Sequence, residues 1–360
     1  MTQIREILKN FNSISIPEYL FYDSNFKHGE VIRQWIQYKK NTSIRNLLLE
    51  SQSGIPEELK YHGWETDKDE YDQTPLMYWI QYRKDERIRD GSLEQRSCIP
   101  EELKYPDWQI EENVDVSPLL CWIQYRNNEP IPEELFYPGW QMYENTYSGL
   151  ALMQWIQFRK DEPIPEELKY PGWRTDHTNN TATPLMYWII YRKNESIPEE
   201  LKYRDWKTDA YFNGNRPLLM WIEYRTNEPI PGELFYRSCL THKYFDGTAL
   251  MTWIMYRTNE PIPNKLKYSG WRTDNNKYGE TPLMYWIEYR KHKQIPEELK
   301  YTGWKTDKNK YDHTPLMLWI LYRNNEPIQE ELKYPGWKTD TTRFGKIGRA
   351  SCRERVSFLV

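Results

Sequence analysis

Tyr278-Gly279-Glu280-Thr281-Pro282-Leu283-Met284-Tyr285-Trp286-Ile287-Glu288-Tyr289-Arg290 is the stretch that decides the fold, because the chain repeats it from end to end. Aligned on its tryptophan, the phrase recurs at Trp35, Trp79, Trp122, Trp155, Trp188, Trp221, Trp253, Trp286 and Trp319, with spacings of 44, 43, 33, 33, 33, 32, 33 and 33 residues. A second phrase, Gly-Trp or Asp-Trp, recurs at Trp64, Trp108, Trp140, Trp173, Trp206, Trp271, Trp304 and Trp337, so the two series account for all 17 tryptophans. A fixed period of this length marks a stack of repeats and overrides any domain count drawn from 360 residues. A tryptophan present in every unit predicts a packing duty rather than a ligand-stacking one.

One unit reads as two helices and a turn. Thr281 offers an N-cap hydroxyl and Pro282 sits at the first helical position, where its missing N–H costs nothing. The first helix then runs from Leu283 to about Arg290, with Leu283, Trp286 and Ile287 forming one buried stripe and Tyr285 and Glu288 pointing the other way. Ile295-Pro296-Glu297-Glu298-Leu299 opens a second, short helix with two carboxylates in its first turn, where the helix dipole favours them. Lys300 falls near its end and Gly303 at a left-handed C′ position. The stretch from Trp304 to Asp312 turns back to Thr314, where the cycle restarts.

The run Tyr278-Gly279-Glu280-Thr281-Pro282-Leu283-Met284 resembles the D-G-x-T-P-L-H opening of ankyrin repeats, and the period of 33 is that family's period. The likeness covers roughly residues 12 to 346. It implies an all-α helical solenoid of helix-turn-helix units that binds another protein, with the first helix of each unit lining the concave face. Two departures stand out: Trp286-Ile287 replaces the family's pair of small alanines, and the second helix starts late and is cut short. Another helix-pair solenoid, without the ankyrin finger turn, is the alternative.

Composition narrows the class. With 38% hydrophobic residues, a mean hydropathy of -0.93, 29 Tyr and 10 Phe, the core must be built largely from aromatics. No apolar run approaches the roughly 18 residues of a membrane span, and the start, MTQIREILKNF, is too charged for a signal peptide. A net charge of -4 without a basic block argues against a nucleic-acid partner. Cys98, Cys121, Cys239 and Cys352 occupy unrelated places in the repeat, so neither a disulfide framework nor a metal cage is expected. An intracellular, cytoplasmic, monomeric protein follows as the expectation, and the sequons at Asn41, Asn179 and Asn194 are read as chance.

The pattern breaks twice. Extra segments at 45–54 and 89–98 precede the second helix of the early units, either as divergent capping structure or as a binding loop, after an N-terminal cap over 1–30. About nine tandem units fill 31–346. Beyond Lys346, Ile347-Gly348-Arg349-Ala350-Ser351-Cys352-Arg353-Glu354-Arg355-Val356 stands where Thr-Pro-Leu-Met should follow. This string resembles the translation of a sequencing-library adapter, so 347–360 is expected to be an artefactual tail and the natural chain to continue differently.

Phosphate loops, nucleophile elbows, H-E-x-x-H, EF-hand loops and C-x-x-C pairs are all missing, so neither catalysis nor a cofactor is expected. The histidines His28, His62, His177, His242, His292 and His313 share no phase and are expected at the surface. The periodic Asp67, Asp176, Asp209, Asp274, Asp307 and Asp340 are read as turn caps. The arginine four residues after each helix Trp, as in Arg192, Arg225, Arg290 and Arg323, falls on the buried side near Glu195, Glu228 or Glu326 and is expected to pair with a carboxylate.

Partner binding is expected where units differ. The residue before each helix Trp reads Tyr78, Cys121, Gln154, Tyr187, Met220, Thr252, Tyr285 and Leu318, and the residue two after it reads Gln81, Gln124, Gln157, Ile190, Glu223, Met255, Glu288 and Leu321. Both rows lie about 150–180° from the Leu-Trp-Ile stripe on a helical wheel, so both are expected to project from the core toward a protein partner. A repeat targeting region of a longer protein, with its catalytic or effector domain further on, is the second functional reading. Stacking of glycans or nucleic-acid bases, the third, would require exposed tryptophans.

Overall fold

The structure, a computed structural model, describes residues 62–69, 71–82, 99–109, 117–136, 140, 151–177, 182–210, 214, 216–236, 240, 247–323 and 325–340. The cap over 1–30, the first repeat tryptophan Trp35, both insertions and the tail from 347 lie outside them. Two units divide the chain, Met1–Asn179 and Asn180–Val360. Unit 1 carries α1 Pro75–Tyr82, α2 Pro118–Tyr125 and α3 Ala151–Phe158. Unit 2 carries α4 Pro184–Tyr191, α5 Pro217–Tyr224, α6 Ala249–Tyr256, α7 Pro282–Tyr289 and α8 Pro315–Tyr322. Within each unit every helix packs against the next, which makes each a helical repeat stack; no β-strand occurs among the described residues.

Each α-helix is eight residues long because its sequence starts and stops it. Proline at the first position fixes φ in all but α3 and α6, which begin with Ala151 and Ala249, and the arginine after the last aromatic residue leaves helical geometry, as at Arg290 with ψ 56°. The expected hydroxyl caps form at Ser117 and Thr314. Thr183, Thr248 and Thr281 make no such bond. There the cap carbonyl carries the turn, as where the Tyr285 N–H donates to Thr281 at 3.0 Å.

The second helix is a correction. In place of a helix, each unit has a single 3₁₀ turn, Glu297–Leu299 in the unit of α7, which Pro296 opens and whose one leucine is buried. After Glu-Glu-Leu the chain supplies no further apolar residue at i+3 or i+4 to extend a buried stripe, so one turn is all that packing supports. Gly303 is left-handed as expected, with φ 91°, and opens the following turn that seats the second tryptophan, Trp304.

The core is aromatic and aliphatic in alternation. Leu283, Trp286 and Ile287 are all buried, as the stripe predicted, and so are their counterparts in α4, α5, α6 and α8. Buried indoles find partners: Trp221 Nε1 donates to the Pro229 carbonyl at 3.1 Å and Trp286 Nε1 to that of Gln294 at 3.0 Å. The same bond holds Trp122 to Pro130 at 3.0 Å in unit 1. Each of these rings therefore brings apolar area without an orphaned N–H, whereas the buried Trp319 Nε1 has no acceptor.

The repeat arginine ties one helix to its predecessor. Arg225 is fully buried; its Nε donates to the Ile189 carbonyl at 2.9 Å and its Nη2 to that of Trp188 at 2.9 Å. Nη1 reaches the Glu195 carbonyl at 2.7 Å and the Glu228 carboxylate at 3.0 Å. Ile189 is among the last residues of α4, whose carbonyls have no partner inside the helix, so the guanidinium caps it and meets the negative end of its dipole. The Trp221 ring covers the cation, 4.1 Å from its centroid. Arg126, Arg159, Arg257, Arg290 and Arg323 repeat the bond to an isoleucine carbonyl one helix back. Three of the expected ion pairs form, at 3.3 Å for Arg192–Glu195, 3.0 Å for Arg225–Glu228 and 3.4 Å for Arg323–Glu326, whereas Arg290, with Lys293 three residues on, donates to the Thr258 and Glu260 carbonyls instead.

Candidate functional site

The turns before α1, α7 and α8 are each built by one Asx residue. Asn276 Oδ1 accepts from the N–H groups of Tyr278 and Glu280 at 2.8 and 2.9 Å, and Asn309 Oδ1 from those of Tyr311 and His313 at 3.0 and 2.9 Å. Asp69 does the same for Tyr71 and Gln73 in unit 1. The local fold lifts Tyr278 and Tyr311 to successive tips, where their rings stack with centroids 6.2 Å apart. The Lys310 N–H donates across to the Tyr278 carbonyl at 2.8 Å. Gly279 makes that approach possible: its φ is +78°, and a Cβ there would meet the Lys310 nitrogen at 3.3 Å.

Between these tips and the helices lies a cleft of ≈ 290 Å³ lined by Met255, Tyr278, Glu280, Tyr285, Glu288, Tyr289, Tyr311 and Tyr322. Tyr285 and Tyr289 meet at 5.4 Å on one turn of α7. Asn276 Nδ2 donates to Glu280 at 2.9 Å and to the Tyr285 hydroxyl at 3.2 Å, which ties tip to helix. Glu288 accepts from the hydroxyls of Tyr289 and Tyr322. Burial, and next the charge of Glu280, push the Glu288 carboxyl up. Burial and the Glu288 and Glu280 carboxylates push the Tyr289 and Tyr322 phenols up as well. Among the described residues no lysine, arginine or histidine forms an ion pair with Glu280 or Glu288.

Of the two rows expected to project from the core, the second is partly exposed and the first is corrected. In the second row Gln81, Gln124, Gln157, Ile190, Glu223, Met255 and Glu288 are half-buried and Leu321 is 48% exposed. In the first row Cys121, Met220, Thr252, Tyr285 and Leu318 are buried, while Tyr78, Gln154 and Tyr187 are half-buried. A helical wheel gives one buried face, whereas a stacked helix is also covered by its neighbours and by its own turn tip, and the residue before the tryptophan lies under that cover. The structure brings Met255, Tyr285 and Glu288 together in the cleft, with Tyr278, Glu280, Tyr289, Tyr311 and Tyr322, which the comparison of variable rows missed. For Tyr289 and Tyr322 the signal was the i+3 tyrosine after each helix Trp, which is invariant in unit 2 and so looked like packing.

The remaining expectations sort as follows. Asp176, Asp274, Asp307 and Asp340 accept tyrosine hydroxyls, from Tyr170, Tyr268, Tyr301 and Tyr334, so the periodic aspartate pins a ring and is more than a turn cap. His62, His177 and His292 are exposed as expected; His313 is half-buried beside Tyr311, and burial holds its imidazole below the usual range. Cys121 is a buried free thiol, and no group of residues able to hold a metal occurs among the described residues. Every described tryptophan is buried or half-buried, which leaves stacking of sugars or bases without an exposed indole. No helix among the described residues is long and apolar enough to cross a membrane. No family model matches the chain, and no curated protein matches it.

Proposed function

We propose that the chain is a non-catalytic scaffold of ankyrin-like repeats that binds another protein through the variable helix row and the turn tips of unit 2. The observation that carries this reading is the chemistry of that face. Tyr224, Tyr256, Tyr278 and Leu321 are the large apolar side chains left exposed among the described residues of unit 2, and the cleft opens beside Tyr278. Clustered exposed tyrosine and aliphatic groups mark interaction surfaces, because they offer contact area at a small cost in side-chain freedom. The repeat period, the T-P-L opening and the tight turn before each helix support the ankyrin-like reading.

The test uses the full chain and its captured partner. The triple substitution Ile190→Ala, Met255→Ala and Leu321→Ala weakens binding by at least about tenfold, about 1.4 kcal/mol, with the helical circular-dichroism spectrum retained. Unchanged affinity in that folded variant rejects this face.

A further inference from the structure

We propose that the cleft between the turn tips and helices α6 to α8 is a receptor for a single basic side chain, the arginine or lysine of a polypeptide partner. This inference rests on the scaffold reading and gives its partner a chemistry. Three observations lead to it. Five tyrosines, Tyr278, Tyr285, Tyr289, Tyr311 and Tyr322, wall the cleft, and the faces of their rings attract cations. Two carboxylates, Glu280 and Glu288, open into the same space, and every hydrogen bond they accept comes from a neutral donor: Asn276 and Asn309 for Glu280, Tyr289 and Tyr322 for Glu288. No cation balances either of them among the described residues, although elsewhere in these repeats half-buried glutamates are matched, as in Arg225–Glu228 at 3.0 Å and Lys267–Glu298 at 2.6 Å.

The basic side chains at the tips are placed otherwise. Lys277 lies over the Tyr278 ring at 4.7 Å, and burial holds the His313 imidazole below its usual range against the pull of the Glu280 charge. Two negative charges that share a partly desolvated cleft repel each other, so a cation entering it gains from both and from the rings around it. An acidic or neutral side chain gains nothing there. The volume, ≈ 290 Å³, is that of a small-group subsite and suits one guanidinium or ammonium on its stem.

The experiment titrates the full chain with a heptapeptide carrying one central arginine in a Gly-Ser background, and with matched peptides carrying lysine or the neutral isostere citrulline. Carbon-13 labels on the tyrosine rings report occupancy. The arginine or lysine peptide shifts the Tyr285, Tyr289 and Tyr322 signals saturably at millimolar concentration, and citrulline binds at least about tenfold more weakly. Glu288→Gln lowers affinity for the cationic peptide by about tenfold while the tyrosine spectrum of the free protein stays folded. No saturable shift up to about 10 mM, or equal binding of the citrulline peptide, overturns the proposal. The scaffold reading is separable from it. A silent cleft with an Ile190→Ala and Leu321→Ala double variant, which leaves the cleft lining intact, impaired in partner binding refutes the cation receptor alone, and the reverse pattern refutes the broader face alone.

Discussion

The Nε of Arg323 donates to the Ile287 carbonyl at 2.8 Å across 36 residues of chain, and the Arg323 guanidinium lies 4.1 Å from the centroid of its own Trp319. One side chain thereby caps the preceding helix and is roofed by the tryptophan of its own. A planar fork of five donors suits this duty, and an ammonium does not span the same carbonyls.

Arg225→Lys therefore destabilises the chain by about 2–4 kcal/mol, because it leaves the buried carbonyl of Ile189 unpaired and removes one of two bonds to that of Trp188. Urea unfolding checks this, and a loss under about 1 kcal/mol would show that the bonds to the preceding helix carry little.

Trp221→Ala opens a cavity at the same junction and orphans the acceptor at Pro229, at a cost of about 3–5 kcal/mol. A midpoint shift equivalent to less than about 1 kcal/mol would place the ring outside the core.

Gly279→Ala and Gly303→Ala both put a side chain at positive φ, 78° and 91°. Around Gly303 an added Cβ meets nothing within 4 Å, whereas at Gly279 it meets the Lys310 backbone at 3.3 Å. Gly303→Ala costs about 1 kcal/mol from backbone strain alone, and Gly279→Ala costs more because the link between successive turn tips must shift. Equal losses in thermal unfolding would contradict the close approach.

Much of this was legible in the sequence. The tryptophan period fixed the stack, the Leu-Trp-Ile stripe named the core, and the arginine with a glutamate three residues on predicted the ion pair. The backbone side of that arginine was not legible, because carbonyls leave no mark in a sequence. Nor was the second element. Pro296-Glu297-Glu298-Leu299 carries every signal that starts a helix, and only packing decides that it stops after one 3₁₀ turn. Tyr285 shows the limit of the helical wheel: it sits opposite the stripe yet is 5% exposed, because Asn276 of its own turn closes over it. The cleft was half legible, through Met255, Tyr285 and Glu288. Its acidic and tyrosine walls come from the tips and from the next helix, a juxtaposition that only the stack creates.

The charge pair in the cleft predicts a pH dependence. Glu288 has a folded-state pKa raised above its ordinary 4.5, so the folded state favours its protonated form. Stability from this group is fully present below the unfolded pKa and is lost as pH rises through the folded one. Glu288→Gln, which keeps an acceptor for Tyr289 and Tyr322, therefore raises the unfolding midpoint at neutral pH, and the gain shrinks as pH falls through the folded-state pKa and is gone below about 4.5. A gain that grows toward acid pH would reverse the sign and contradict the burial of an unbalanced carboxylate. The same substitution weakens binding of the cationic peptide, so stability and recognition move in opposite directions.

Site-directed photo-crosslinking tests the scaffold claim most directly. A benzophenone side chain placed at Leu321, on the variable row, and in a second protein at Glu297, an exposed residue of a 3₁₀ turn, is irradiated with the captured partner. Adducts concentrated at position 321, and suppressed there by the cationic peptide, are the predicted result. Adducts at 297 with none at 321 would contradict the account.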